Sequence, residues 1–149
     1  HSALASCQGA SAISLIILYE VNVMQHLHQA IQRCPRVAVY GTLKHGHRNH
    51  HWLNGADMLG QDRLTGITLY DLGPYPGAKL TPSTGVAVEV YAINAEQLAR
   101  LDQLEGYFHH APSQGLYNRT TLPTQHGDAW CYIYNPAVEQ GSLMDSGEW

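Results

Sequence analysis

The segment that most constrains the fold runs from Arg36 to Gly46 and reads RVAVYGTLKHG. Its first half is continuously apolar and β-favouring, which predicts a strand covered on both faces. Gly41 and Gly46 follow, and glycine permits loops in which several backbone N–H groups point at one place. Such a group of amides could bind a carboxylate or a developing oxyanion. The alternative is an ordinary strand end in which the glycines only make the turn.

The clearest helix follows Asn94, a favourable N-cap, and ends before Gly106. Within it, Leu98 and Glu105 are seven residues apart and lie on nearly the same face. A carboxylate on an apolar helix face loses hydration, which raises its pKa. Glu105 is therefore a candidate general acid or base, unless it swings out to solvent at a frayed helix end. Asp102 is expected to be an exposed helix residue.

Residues 56–91 alternate between strand-forming runs and turn signals, and they form the β-rich part of the chain. Apolar residues at every second position from Val86 to Val90 predict a strand with one inward face. The prolines between Asp71 and Pro76 argue against a central strand, so this stretch is expected to be a loop. One hypothesis places this loop at a pocket mouth. Two closing strands are expected at residues 116–123 and 128–134.

Four short motifs together resemble the γ-glutamylcyclotransferase-like superfamily, in particular its γ-glutamylamine cyclotransferase branch. They occur in the family's order and span roughly residues 36–149, which makes the resemblance specific although each motif is short. The first 35 residues lie outside the resemblance and are expected to be an N-terminal extension of a domain at 36–149. The motifs are YGTLKHG with Asn49-His50, LDQLEGY at 101–107, LYNR at 116–119 and SGEW at 146–149.

The resemblance implies an α+β single domain built on a small, strongly bent mixed β-sheet or barrel with a few helices. It also implies γ-glutamyl cyclotransfer, in which the α-amine of a γ-glutamyl group attacks its own γ-carbonyl and releases 5-oxoproline and an amine. No metal, nucleotide or redox cofactor is implied. Glu105, the Glu of the LDxxE pattern, would be the catalytic acid and base. The implied substrate-binding residues are Tyr40, Gly41, Thr42, Leu43 and Tyr117.

The segment Phe108–Gly115 departs from the family pattern, because it lengthens the gap between Glu105 and the Tyr-x-Arg pair. Its punctuation by proline and glycine predicts a loop without regular structure. One hypothesis is a flap over the pocket rim that selects the leaving amine. The alternative is a surface insertion that touches nothing.

Composition and charge argue against several other functions. The net charge of −4 with only 8 Lys and Arg leaves no basic stripe for nucleic acid or acidic lipid. The three cysteines include no Cys-x-x-Cys pair, so neither a disulfide framework nor a thiolate zinc site is indicated, and a reducing cytoplasm is expected. The histidine-rich stretch 45–51 lacks the spacing of a metal motif, so no metal is expected.

The N-terminal extension contains an apolar run at 13–23 that is too short to span a bilayer and lacks the basic region of a signal peptide. Met24 could be the native start, and a short helix is expected from Gln25 to Arg33. If residues 13–23 are ordered, either the domain or a symmetric homodimer contact must cover their side chains.

Two functional alternatives stay open beside the cyclotransferase. One is a non-catalytic module of the same fold that binds a small amino-acid-like ligand. The other is a different amide hydrolase, which has little support because no Ser or Cys occupies a nucleophile-elbow motif. The expected partner in the favoured case is a small γ-glutamyl amine or γ-glutamyl amino acid, whose leaving group the sequence does not identify.

Overall fold

The computed structural model describes residues 11–149, which contain two α-helices and seven β-strands. The helices are α1, Ala12–Arg33, and α2, Ala95–Glu105. The strands are β1 Arg36–Val39, β2 Asp57–Leu64, β3 Thr68–Asp71, β4 Pro76–Lys79, β5 Val86–Ala92, β6 Tyr117–Leu122 and β7 Ala129–Tyr134. Short 3₁₀ turns lie at His50–Leu53 and Gln140–Ser142.

Strand β1 is the centre of a five-stranded mixed sheet with the order β2-β5-β1-β7-β6. It pairs antiparallel with β5 and parallel with β7, while β3 and β4 form a separate antiparallel hairpin. A register shift between Met58 and Gly60 distorts β2 against β5. The prediction of a mixed α+β single domain is confirmed.

The strand predicted at the Arg36 segment is confirmed, and alternate side chains explain its burial on both faces. Val37 and Val39 pack in a core that also contains residues of α1 and α2. Ala38 and Tyr40 pack in a second core with residues of the β3–β4 hairpin. The end of β1 therefore lies between the two helices and the hairpin, where a following loop can meet both.

Helix α2 has the bounds that the sequence predicts, because both of its ends are capped. The Asn94 side chain accepts a hydrogen bond from the backbone of Gln97, and the Gln97 side chain accepts one from the backbone of Asn94, at 2.8 and 2.9 Å. Gly106 ends the helix in the left-handed conformation at φ 65°. Leu98 and Leu101 are fully buried, which fixes the rotation of the helix on the sheet.

Helix α1 is longer than predicted, because no proline or glycine interrupts the sequence from Ala12 to Arg33. Leu27 and Ala30 are buried in the core, so the second half of the extension packs on the domain although it precedes the motifs. The first half is different: Ile13 is 70% exposed, and most apolar side chains up to residue 21 are also exposed. Within residues 11–149, no helix combines the length and hydropathy needed to cross a bilayer.

Candidate active site

A pocket of about 190 Å³ opens where β1, α2, β6 and the β3–β4 hairpin meet. Six residues that the sequence analysis named as site residues line it together. Those residues are Tyr40, Gly41, Thr42, Leu43, Glu105 and Tyr117. The geometry therefore brings the candidate acid or base and the candidate amide-bearing loop to one cavity, although about 60 residues separate them in the chain.

Residues 40–43, which we call the amide loop, are held in place by hydrogen bonds from the segment that follows them. The carbonyl oxygen of Gly41 accepts a hydrogen bond from the Lys44 N–H at 3.0 Å, and that of Thr42 accepts one from the Asn49 N–H at 2.9 Å. In a trans peptide, the C=O of one residue and the N–H of the next point in opposite directions. The N–H groups of Thr42 and Leu43 therefore point away from these bonds, and neither donates to an acceptor among the described residues.

Asn49 reinforces this arrangement through its side chain, whose Nδ2 donates to the Thr42 hydroxyl at 2.9 Å. His50 Nδ1 lies 2.9 Å from the Leu43 carbonyl oxygen. Behind the loop, the buried carboxylate of Glu89 accepts hydrogen bonds from the His45 N–H and the Tyr91 hydroxyl. The sequence signal for these supports is the Asn49-His50 pair next to the glycine loop, to which sequence reasoning assigned no role.

Gly41 is required by space rather than by an unusual backbone angle, because its φ is not positive. A Cβ built on Gly41 would lie 2.6 Å from Cγ of Pro76 across the pocket. Pro76 begins β4, and Tyr75 before it also lines the cavity. The Asp71–Pro76 segment is a tight connection between β3 and β4, and it reaches the pocket as expected.

Glu105 is the last residue of α2 and is only partly exposed, at the pocket surface. Burial raises the pKa of Glu105 to about 7, and the negative charge of Asp102 adds to the shift. Its carboxylate forms no hydrogen bond or ion pair with residues 11–149. The carboxylate is thus free to exchange a proton with a ligand near neutral pH.

Asp102 is the point at which the sequence expectation is wrong, since it is not an exposed helix residue. Its carboxylate accepts two hydrogen bonds from Arg119 at 2.8 and 3.0 Å, and a third from the Tyr132 hydroxyl at 2.7 Å. The side chains of Arg119 and Asp102 are only 2% and 13% exposed. We call these three residues the Asp102 cluster. Arg119 also lies over the rings of Tyr107 and Trp130, so it is structural.

Four tyrosines line the pocket, and the two that were named as site residues, Tyr40 and Tyr117, are buried with hydroxyls that donate to backbone carbonyls. Tyr40 donates to the Tyr132 carbonyl at 2.7 Å and accepts from the Ala78 N–H. Tyr117 donates to the Pro76 carbonyl at 2.7 Å. Burial raises the pKa of both phenols, which keeps them protonated. These contacts tie β1, β7, β6 and the hairpin together around the cavity.

The Phe108–Gly115 segment lies on another side of the domain from the position expected of a flap. His109 stacks on His26 of α1 with ring centroids 4.4 Å apart, and the His110 ring lies 6.3 Å from that of Tyr19. No residue from 108 to 115 lines the pocket. The neighbouring Leu104 and Leu116 do line it, so the segment passes the pocket at its two roots and then turns toward helix α1.

The pocket has further lining residues that the sequence analysis did not name as site residues, although most of them lie within or next to the motifs or in the Asp71–Pro76 stretch. Arg48 is the only charged one among them. The others are Ala38, Val39, Asn49, Tyr75, Pro76, Leu104, Leu116 and Tyr132. Over the described part of the chain, no three His, Cys, Asp or Glu side chains form a group that could hold a metal ion.

Comparison with known proteins shows the family of the chain. A family model described as gamma-glutamyl cyclotransferase, AIG2-like, matches residues 37–149. The gamma-glutamylcyclotransferase family protein YtfP of Escherichia coli is 40% identical over 115 residues, 76% of this chain and 95% of that protein. The gamma-L-glutamyl-butirosin B gamma-glutamyl cyclotransferase of Niallia circulans is 34% identical over 106 residues, 68% of this chain and 67% of that protein.

Two solved structures extend the likeness to the fold. The solution NMR structure of protein ytfP from Escherichia coli superposes with a TM-score of 0.60 at 39% identity, covering 76% of this chain and 95% of that one. The crystal structure of an AIG2-like protein from Mus musculus gives a TM-score of 0.58 at 25% identity, covering 77% and 87%. Because the family model covers residues 37–149 and the relatives share both sequence and fold, the chain belongs to the gamma-glutamyl cyclotransferase, AIG2-like family.

Proposed function

We propose that this cyclotransferase-family protein converts a γ-glutamyl amine or γ-glutamyl amino acid into 5-oxoproline and the free amine. The observation that carries the proposal is Glu105: an unpaired carboxylate with a pKa raised to about 7 lines the same pocket as the amide loop. A proton-transfer group works best when its pKa lies near the working pH. The loop supplies hydrogen-bond donors with no other acceptor in the described chain.

In the proposed reaction, ionised Glu105 takes a proton from the substrate's α-ammonium group, and the free amine attacks the γ-carbonyl carbon. The N–H groups of Thr42 and Leu43 stabilise the oxygen on which negative charge develops. The amide C–N bond then breaks as Glu105 returns the proton to the departing nitrogen. The ring nitrogen gives up its second proton, which the released amine takes up as it becomes an ammonium ion, so that neutral lactam and Glu105 carboxylate are left. Because attacking and attacked groups belong to one molecule, holding the chain in a bent conformation is itself a large part of the catalysis.

The remaining pocket residues would bind and shape rather than react. Tyr40 and Tyr117 present ring surface to the substrate, since their hydroxyl protons are engaged with backbone carbonyls. Gly41 lets Pro76 pack directly against the amide loop. The mechanism requires no metal, nucleotide or redox cofactor, because the proton shuttle and the oxygen-binding donors both belong to the chain.

A nucleophilic amide hydrolase is less consistent with the pocket. Cys131 lies close enough for the charge of Glu105 to affect it, but burial raises the pKa of this thiol to about 12. A protonated thiol is a poor nucleophile. The binding-module alternative keeps the same pocket and differs only in the absence of turnover, so a chemical assay decides between the two.

The test is a 5-oxoproline release assay on a panel of γ-glutamyl amines with wild-type protein and the Glu105→Gln variant. The amide retains the shape of the side chain but cannot shuttle a proton, so the rate should fall by about 10²-fold or more. Glu96→Gln is the matched control, because Glu96 is exposed on the same helix. Equal rates in wild type and Glu105→Gln would remove Glu105 from the mechanism, and no release by wild type would favour the binding module.

The assembly and location of the protein are part of the same proposal. The apolar side chains exposed along the first half of α1 support a homodimer in which two copies of this helix cover each other. Sedimentation of the wild type and of Ile16→Glu would test it, since a charge there should shift the protein to the monomer. The described cysteines, Cys34 and Cys131, are free thiols, which supports a cytoplasmic location.

A further inference from the structure

The pocket has a positive charge at its mouth that the proposed reaction does not use. Arg48 follows the amide loop and lines the cavity, while its side chain is exposed. Of the residues that line the pocket, only Arg48 and Glu105 carry a formal charge at neutral pH. The pocket therefore combines one cation near solvent with one titratable carboxylate.

Arg48 has no acidic partner of its own. The ion pair between Arg119 and Asp102 is the one salt bridge among residues 11–149, and residues 1–10 contain no Asp or Glu. Arg119, by contrast, is neutralised by Asp102. The positive charge of Arg48 is instead available to a ligand.

The guanidinium group is nevertheless held in place. Nη2 of Arg48 donates a hydrogen bond to the carbonyl oxygen of Pro74, in the connection between β3 and β4. This bond joins the segment after the amide loop to the hairpin that carries Tyr75 and Pro76, on the opposite wall of the pocket. A guanidinium has five N–H donors in a fixed plane, so one bond to a carbonyl leaves donors for a second acceptor.

Lys44, the other cation near the amide loop, differs from Arg48 in its exposure and in its position relative to the pocket. It is buried, and its Nζ donates to the carbonyl oxygen of Trp149. It does not line the pocket. Lys44 therefore fastens the C-terminal segment, whereas Arg48 faces the cavity with an uncompensated charge.

We propose that Arg48 binds a carboxylate of the substrate at the pocket mouth and so sets the substrate class. This inference rests on the proposed function, because it concerns how the same pocket recognises a γ-glutamyl compound. Two carboxylates could occupy the position: the α-carboxylate of the glutamyl unit, or a carboxylate on the leaving group when that group is an amino acid. An arginine pairs with a carboxylate through charge-assisted, often bidentate hydrogen bonds.

The experiment measures binding by calorimetry, so that it does not depend on turnover. The first ligand pair is 5-oxoproline and 2-pyrrolidinone, which share a lactam ring but differ in the α-carboxylate. The second pair is γ-glutamylglycine and γ-glutamylmethylamide in the Glu105→Gln background, which differ in the leaving-group carboxylate. Each ligand is tested with and without Arg48→Gln, and Arg100→Gln, an exposed arginine on α2, is the control.

If Arg48 binds the α-carboxylate, Arg48→Gln should weaken 5-oxoproline binding by about 10-fold or more and leave 2-pyrrolidinone unchanged. If it binds the leaving-group carboxylate, the loss should appear only with γ-glutamylglycine. Arg48→Lys should restore part of the affinity in either case, because it returns the charge without the planar fork. Unchanged affinities for all four ligands would overturn the inference. Arg48-dependent binding without any 5-oxoproline release would refute the cyclotransferase proposal alone.

Discussion

Helix α2 carries two carboxylates one turn apart, Asp102 and Glu105, and their surroundings differ. Asp102 is fully paired, whereas Glu105 has no hydrogen-bond or ion-pair partner among residues 11–149. In the Asp102 cluster, the carboxylate accepts three hydrogen bonds and pairs with a buried guanidinium. In the pocket, Glu105 has neither, and burial raises its pKa to about 7. Residue type and helical position differ little between the two. The neighbours that the sheet supplies therefore decide which carboxylate is paired and which stays unpaired in the pocket.

The two carboxylates also differ in their relation to Arg119. The guanidinium of Arg119 pairs with Asp102 and not with Glu105, so its positive charge neutralises the cluster and not the pocket. The charge of Asp102 in turn contributes to the raised pKa of Glu105. The structural carboxylate and the proposed catalytic one thus share a helix without sharing a counter-ion.

The largest stability effect should follow from breaking the Asp102 cluster. Asp102→Asn leaves the guanidinium of Arg119 buried with no counter-charge, and we expect the free energy of unfolding to fall by about 3–5 kcal/mol. Urea unfolding would measure it. Arg119→Met combined with Asp102→Asn should recover part of the loss, because no buried charge then remains. A single variant as stable as wild type would contradict the structural role of the cluster.

Glu105→Gln should have the opposite effect on stability, and only at high pH. The pKa of Glu105 is raised in the folded state, so its stabilising contribution is complete below about 4.5 and is lost as the pH rises through about 7. At pH 9 the neutral amide should therefore be more stable than wild type by about 1–3 kcal/mol. Thermal unfolding at pH 5 and pH 9 tests this, and a difference independent of pH would be inconsistent with a buried, ionised Glu105.

The other wall of the pocket can be tested with Gly41→Ala. The new methyl group would meet Pro76, so the amide loop or the hairpin must move, and we expect the affinity for 5-oxoproline to fall by about 10-fold. Gly66→Ala is the matched control, because a Cβ there meets no atom within 4 Å and the backbone φ is not positive. Unchanged affinity for 5-oxoproline in a folded Gly41→Ala variant would contradict the prediction, because the contact between Gly41 and Pro76 would then not matter for binding.

The smallest expected effect is electrostatic, and it concerns the influence of the Asp102 charge on the pKa of Glu105. If ionised Glu105 is the base, kcat/KM should rise with pH through a pKa near 7. Asp102→Asn removes a negative charge that contributes to this value, so the rise should move to lower pH by roughly a few tenths of a unit. The pH profiles of wild type and Asp102→Asn, measured where both are folded, would show it. A shift to higher pH would contradict the sign of the interaction.

Local signals predicted the elements that carry the site, and they did so for identifiable reasons. Asn94 and Gly106 fix the ends of α2 through contacts within a few residues, and the seven-residue spacing of Leu98 and Glu105 sets a face. The RVAV run likewise predicted a doubly covered strand. The length of α1 was not predicted, because its exposed apolar half shows no amphipathic pattern against the domain.

Motifs and short-range periodicity were enough to predict the family, the central strand, the capped helix and Glu105 as a candidate, because neighbouring residues encode them. The other features depend on contacts between distant parts of the chain. Asp102 meets Arg119 and Tyr132 across 17 and 30 residues, and Arg48 reaches Pro74 across 26. Such partners lie side by side only when the strands are ordered as β2-β5-β1-β7-β6. The pKa of a carboxylate depends on those neighbours and on its loss of hydration. The spacing of residues along the chain specifies neither of them.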